Sequence, residues 1–222
     1  MPQIKDSLYE QLNPLTTVAG QHLVEDFSGD TLDTFRWTYT LLNGIATGSM
    51  SDSVDGGFDH TSTETGATSE SITTFGNVNQ FNHLGASFIC VAKWSGDFPS
   101  TSMMQRGGFK KENTDSFNAG DHAGFAKPTA APYRFQCYSA SDTGGVVGTD
   151  TGISSTSADT PHVFKGELKS ASFDLSIDGI YGATNTTNLP TVALQPYLYS
   201  WAYQVSAGSM TANFIYYEAW NT

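Results

Sequence analysis

Polar and apolar positions alternate with a period of two over several short runs, and no long stretch keeps the period of a helix. In SASFDLSIDGIYG, Phe173, Leu175 and Ile177 fall on one face and Ser172, Asp174, Ser176 and Asp178 on the other. That predicts a strand with one wet side, closed by a turn at Asp178-Gly179. PYRFQCYSA puts Tyr133, Phe135 and Cys137 opposite Arg134, Gln136 and Tyr138, whereas GASFICVAKW, residues 85–94, is apolar on both faces and reads as an inner strand. Two runs are rich in aromatics. QPYLYSWAYQ groups Tyr197, Tyr199, Trp201 and Tyr203 opposite Leu198, Ser200, Ala202 and Gln204. TANFIYYEAWNT groups Phe214, Tyr216, Glu218 and Trp220 opposite Ile215, Tyr217 and Ala219.

Elsewhere the pattern is weaker. Residues 1–22 read as an arm or short helix, with Ile4, Leu8 and Leu12 spaced four apart and Pro14 closing it. Residues 23–222 then form a single domain. Residues 43–71 look lightly loaded on both faces, DTGGVVGTDTGISSTSADT reads as loop or weak strand, and residues 95–131 read as a long connection with SMMQRGGFK as a short strand inside it. Many short strands with Gly and Asp turns predict an all-β, two-sheet antiparallel sandwich of jelly-roll type. Such a sandwich must fill a core roughly 10 Å thick. The Tyr197, Tyr199, Trp201 and Tyr203 face is therefore expected mostly inside it, and the smaller face of that strand outside.

Composition narrows the functional classes. The 222-residue chain carries 10 Lys+Arg against 22 Asp+Glu, a formal net charge of -12, which argues against a general grip on nucleic acid or an anionic membrane. The N-terminus shows no secretory signal pattern, and no run approaches the roughly 20 apolar residues of a membrane span. Cys90 and Cys137 each sit in an apolar run, as two reduced core cysteines or as a disulfide between neighbouring strands, and no Cys/His spacing suits zinc.

EDFSGDTLDTFRW near the start, and HVFKGEL and FDLSIDGIYG followed by aromatic strands to the C-terminus, resemble the concanavalin A-like lectin/glucanase superfamily. The likeness is to its laminin-G-like branches, found in microbial surface proteins and in phage and virus structural proteins, and it spans roughly residues 24–220. The resemblance implies a sandwich whose first and last strands pair. It leaves function open among glucan hydrolases, alginate-type lyases, calcium-dependent lectin-like modules and particle-surface domains.

The catalytic signatures of those relatives are missing. A retaining glycosidase needs two carboxyl groups about 5 to 5.5 Å apart, and the glucanases that share the fold carry Glu-x-Asp-x-x-Glu on one strand. Here no two acidic residues stand two apart. Asp174 and Asp178 would lie about 13 Å apart on their strand. Pairs drawn from Glu167, Asp174 and Glu218 across strands stay open, as does a lyase set of Arg, His, Gln and Tyr begun by Arg134, Gln136 and Tyr138. The histidines, at 22, 60, 83, 122 and 162, read as surface or loop residues. Asp52, Asp55 and Asp59 offer oxygen ligands for Ca²⁺ off any EF-hand spacing, and no other cofactor is called for.

These features favour a non-catalytic structural or decoration protein of a virus particle or other large assembly, located on a virion or cell surface. Its partners would be copies of itself or capsid proteins. The alternative is a lectin-like carbohydrate-binding module, with a hydrolase or polysaccharide lyase behind it. The expected ligand contacts are Tyr216, Glu218 and Trp220 on the last strand, with Trp201 and Tyr199 on the other aromatic face.

Overall fold

In a computed structural model, residues 21–52, 55–64, 69–76, 80–96, 103–111, 120–128, 133–142, 144–155, 159–202 and 208–222 are described. They hold fifteen strands and no helix. In chain order these are β1 (His22–Glu25), β2 (Trp37–Asn43), β3 (Thr47–Met50), β4 (Phe58–Glu64), β5 (Ser69–Phe75), β6 (Ala86–Gly96), β7 (Met103–Lys110) and β8 (His122–Pro128). There follow β9 (Arg134–Ser141), β10 (Gly145–Ser154), β11 (His162–Leu168), β12 (Phe173–Ile177), β13 (Ile180–Asn185), β14 (Gln195–Ala202) and β15 (Gly208–Asn221). Of the expected arm, residues 1–20 lie outside the described residues, and His22 already belongs to β1.

Two antiparallel sheets result. An eight-stranded sheet runs β13-β12-β11-β6-β15-β4-β3, with β1 also paired to β15, and a seven-stranded sheet runs β10-β9-β8-β7-β14-β5-β2. The first strand does pair with the last, from His22 opposite Trp220 to Glu25 opposite Tyr217. The turn foreseen at Asp178-Gly179 joins β12 to β13, both residues at positive φ (53° and 76°), as a tight hairpin turn requires. The two stretches with the weakest pattern hold strands. Residues 43–71 contain β3, β4 and the start of β5, and Gly145–Ser154 forms the edge strand β10. Small polar residues suit an edge facing water, where alternation carries little signal.

Phenylalanines dominate the space between the sheets. Phe88, Phe109, Phe125, Phe135, Phe164 and Phe173 are fully buried with Trp37, Trp94 and Tyr217. The Phe125 and Phe164 rings, one from each sheet, lie 3.9 Å apart at 11° and lock the layers together. A polar patch interrupts this core. His60 Nε2 lies 2.7 Å from Thr73 Oγ1 and its Nδ1 3.2 Å from Ser71 Oγ, while Gln105 Nε2 donates to Ser200 Oγ at 3.1 Å. Cys90 and Cys137 are free thiols in the interior, where burial pushes Cys137 up to about 12 and Cys90 higher still.

The aromatic strand is turned the opposite way from the sequence expectation. Leu198 and Ala202 belong to the core between the sheets, and Tyr197 and Tyr199 form a separate cluster with Ile72, flanked by Trp201. The core is already filled by phenylalanines from neighbouring strands, so the smaller side chains of β14 fit inside and its tyrosines stand outside. Tyr203 lies outside the described residues. In β15 the register shifts between Phe214 and Tyr216. That bulge turns Phe214 into the core with Tyr217 and leaves Tyr216, Glu218 and Trp220 on the other side, so Phe214 does not share their face.

Candidate functional site

A strand in a sandwich gives alternate residues to the core and the rest to the outer face. In the seven-stranded sheet the core takes Phe109 of β7, Ala123 and Phe125 of β8, Phe135 and Cys137 of β9, and Leu198 of β14. Register then fixes three rows on the outer face. Gln195, Lys110, His122 and Ala140 stand side by side in the first. Tyr197, Gly108, Gly124 and Tyr138 form the second, and Tyr199, Arg106, Ala126 and Gln136 the third.

This face points away from the core and yet is buried. Arg106 and His122 are each 2% exposed, Lys110 5%, and Gln195 0%. Arg106 is held at both ends of its guanidinium: Nε donates to Met104 Sδ at 3.2 Å, and Cζ lies 4.2 Å from the centre of the Tyr138 ring. His122 Nδ1 lies 3.1 Å from the Gly120 carbonyl oxygen, which can only accept. The proton therefore sits on Nδ1, and Nε2, buried and without a hydrogen-bond partner among the described residues, is the basic nitrogen. Burial first, then the charges of Arg106 and Lys110, hold this imidazole down to about 3, so it is neutral at ordinary pH. Both amide atoms of Gln195 are likewise buried without a partner. Burial raises the Tyr197 hydroxyl to about 12, keeping it protonated, and the Tyr199 hydroxyl donates to Glu70 Oε1 at 2.6 Å. Toward the edge the face opens, since Gly148 and Asp150 on β10 are exposed and Gln136 is half-buried. Buried polar atoms left unpaired cost free energy unless a ligand or water meets them.

Carboxylates are placed wrongly for glycosidase chemistry. On this face the described residues offer Glu70 on β5 and Asp150 on β10, five strand spacings or roughly 24 Å apart. Glu167 and Asp174 do stand opposite each other, on the eight-stranded sheet. Lysines hold both: Lys165 lies 2.6 Å from Glu167, and Lys169 2.5 Å from Asp174. The lysine contacts leave Glu167 and Asp174 below the ordinary carboxylate range despite the desolvation that opposes them. A general acid needs the opposite shift.

The five residues expected to contact ligand fall on opposite sides of the sandwich. Tyr199 and Trp201 belong to the buried face just described. Tyr216, Glu218 and Trp220 lie on the outer side of the eight-stranded sheet, where Glu218 accepts from the Tyr216 hydroxyl at 2.8 Å and pairs with His22 Nε2 at 2.7 Å. Sequence reasoning passed over Arg106, Lys110, His122, Gln195 and Tyr197. The signal was there in MMQRGGFK and HAGFAKP, where Arg106 and Lys110 share one parity and His122 shares its own with Gly124 and Ala126. Three histidines taken for surface or loop residues, His60, His122 and His162, are buried. No group of three His, Cys, Asp or Glu side chains suited to a metal occurs among the described residues. Of the proposed Ca²⁺ ligands, Asp55 pairs with Lys93 at 2.6 Å and Asp59 accepts from Asn213 at 2.7 Å.

Two of the buried histidines, His60 and His122, make stability depend on pH. His60 and His122 both sit near about 3 when folded against an ordinary 6.5, so the unfolded chain binds more protons between these values. Their contribution is complete above pH 6.5 and is lost as pH falls toward 3, with a slope of about 1.4 kcal/mol per pH unit for each histidine. Urea midpoints should therefore drop between about pH 7 and about pH 5, and His122→Asn should remove about half of that slope. A flat midpoint over this range would show that neither imidazole is buried neutral.

No known family profile matches the chain, and no curated protein matches it either. Solved structures do. Bacillus licheniformis β-glucanase superposes with a TM-score of 0.64 at 12% identity, over 93% of this chain and 100% of that one. A glycoside hydrolase family 16 endo-glucanase from Bacteroides ovatus gives 0.64 at 10% identity, over 89% and 99%. The carbohydrate recognition domain of Emp47p gives 0.62 at 8%, over 90% and 94%.

The expectation of a non-catalytic virion or capsid component is overturned on two counts. The named solved structures that superpose on the chain are mostly glycoside hydrolases, with no particle component among them. The chain also brings Arg106, His122, Gln195 and Tyr197 to one face, a set that the sequence alone had left unassembled. From its paired first and last strands to its two-sheet core, the protein has a concanavalin A-like jelly-roll sandwich fold.

Proposed function

We propose that the protein is a polysaccharide-cleaving enzyme that takes an acidic, uronate-containing chain on the outer face of its seven-stranded sheet and breaks it by β-elimination. The observation that carries this reading is the convergence of Arg106, Lys110, His122 and Tyr197 on a face where the carboxylates among the described residues are too far apart for hydrolysis. Arg106 and Lys110 bind the substrate carboxylate and stabilise the charge that develops when the adjacent carbon loses its proton. Neutral His122 takes that proton on Nε2. The electron pair left on carbon forms a double bond as the glycosidic C–O bond breaks, and the departing oxygen receives a proton from the Tyr197 hydroxyl. Atoms and charge balance without water, metal or cofactor.

Substrate also tunes the base. The cations that lower His122 are the ones a uronate would neutralise, so the bound chain raises the basicity of Nε2 where it is needed. The test is to incubate the protein separately with alginate, polygalacturonate, hyaluronate, mixed-linkage β-glucan and galactan, following new reducing ends and the ultraviolet absorbance of unsaturated uronate together. Matching growth of both signals on an acidic polymer is expected. Reducing ends without unsaturation, on a neutral glucan, would replace elimination by hydrolysis, and neither signal on any polymer would overturn the reading.

A further inference from the structure

Arg106 and Tyr138 belong to strands that do not touch, β7 and β9, with β8 between them. Their contact at 4.2 Å crosses β8 diagonally. It is allowed because β8 presents nothing tall there, only Gly124 in the row of Tyr138 and Ala126 in the row of Arg106. We infer that Tyr138 is a positioning residue that holds the Arg106 guanidinium over β8, so that the substrate carboxylate is bound above Gly124 and Ala126. This inference rests on the reading of the face as a uronate site and says where on it the anion sits.

Three features support it. Arginine has several rotatable bonds, and a guanidinium that must meet a carboxylate with two parallel hydrogen bonds loses affinity if it wanders. Here it is fixed from two sides, by the Met104 thioether along its own strand and by the Tyr138 face across the sheet. Tyr138 is itself seated, since its ring fills the space beside Gly148, where an added Cβ would come within 3.0 Å of it. The bound anion would then have His122 in the row next to that of Gly124 and Gln136 in the row of Ala126.

Tyr138→Phe keeps the ring and Tyr138→Leu removes it with little change in bulk. Two readouts apply to both. The first is the ring-current shift of the Arg106 side-chain Nε proton by nuclear magnetic resonance, expected in wild type, kept in Tyr138→Phe and lost in Tyr138→Leu. The second is binding and cleavage of alginate, polygalacturonate and hyaluronate oligomers, tested separately. Tyr138→Leu should weaken binding about three- to thirtyfold, the range of a desolvated cation–π contact, with a smaller change in turnover. Tyr138→Phe should restore both.

No ring-current shift in wild type would overturn the inference and leave the uronate reading standing. A shift lost in Tyr138→Leu with unchanged affinity would do the same. Failure of every oligomer to bind wild type would overturn the uronate reading and this inference with it. Loss of the folded spectrum in Tyr138→Leu alone would be met by Tyr138→Trp, which keeps a π face and should retain the Arg106 shift, and a Tyr138→Trp that lacks it overturns the inference.

Discussion

His122→Asn should lower turnover on the acidic polymer by about 10²- to 10⁴-fold, the usual contribution of a positioned base, while changing KM by much less. Asparagine is the apt replacement because its amide nitrogen can keep the bond that Nδ1 makes to the Gly120 carbonyl while nothing remains at the position of Nε2. The loss is therefore of a proton acceptor more than of packing. Wild-type turnover should also fall on the acid side, because only unprotonated His122 accepts a proton. The midpoint of that fall should lie above about 3, since the substrate carboxylate cancels the repulsion from Arg106 and Lys110. In His122→Asn the remaining rate should lose that acid limb. Full turnover in a folded His122→Asn would remove His122 from the chemistry.

Strands such as β12 and its turn at Asp178-Gly179 were legible because alternation and turn residues are local signals, whereas the pairing of the first strand with the last came from the superfamily resemblance. Which face of an aromatic strand points inward is not local. Tyr197 and Tyr199 have the bulk to fill a core, and only the phenylalanines supplied by β6, β7, β8, β9 and β11 make them superfluous there. The site was harder for the same reason. Arg106 and His122 lie on the consecutive strands β7 and β8, but Gln195 and Tyr197 come from β14, far along the chain, and their convergence follows from the order β8-β7-β14, which no spacing in the chain encodes. Two carboxylates on one strand are a local pattern, whereas this cationic set is assembled only by strands that pair side by side. The bulge at Phe214 escaped notice because alternation on either side of it is intact.

Gly124→Ala should cost about 3 kcal/mol or more of unfolding free energy, against about 1 kcal/mol or less for Gly148→Ala in the same cross-strand row. Both glycines face Tyr138, yet their surroundings differ in kind. A Cβ on Gly124 would strike the Gly107 carbonyl oxygen and come within 3.1 Å of Gly108 Cα, which are backbone atoms of a central strand. Nothing there can rotate aside, so β7 and β8 would have to part, taking with them the interior contact of Phe109 and Phe125 with Phe88. A Cβ on Gly148 would meet only the Tyr138 ring, a side chain beside an exposed edge strand that can swing by a few tenths of an ångström. Gly108 compounds the constraint, since its φ of 146° is one that other residues rarely adopt. Urea unfolding at neutral pH compares the two variants directly, and equal costs would mean that β7 and β8 are not pressed together. The close approach matters for function because it leaves β8 without side-chain height at Gly124. A strand spaced normally, with a side chain there, would block the path by which Arg106 reaches Tyr138 and would fill the place assigned to the substrate carboxylate.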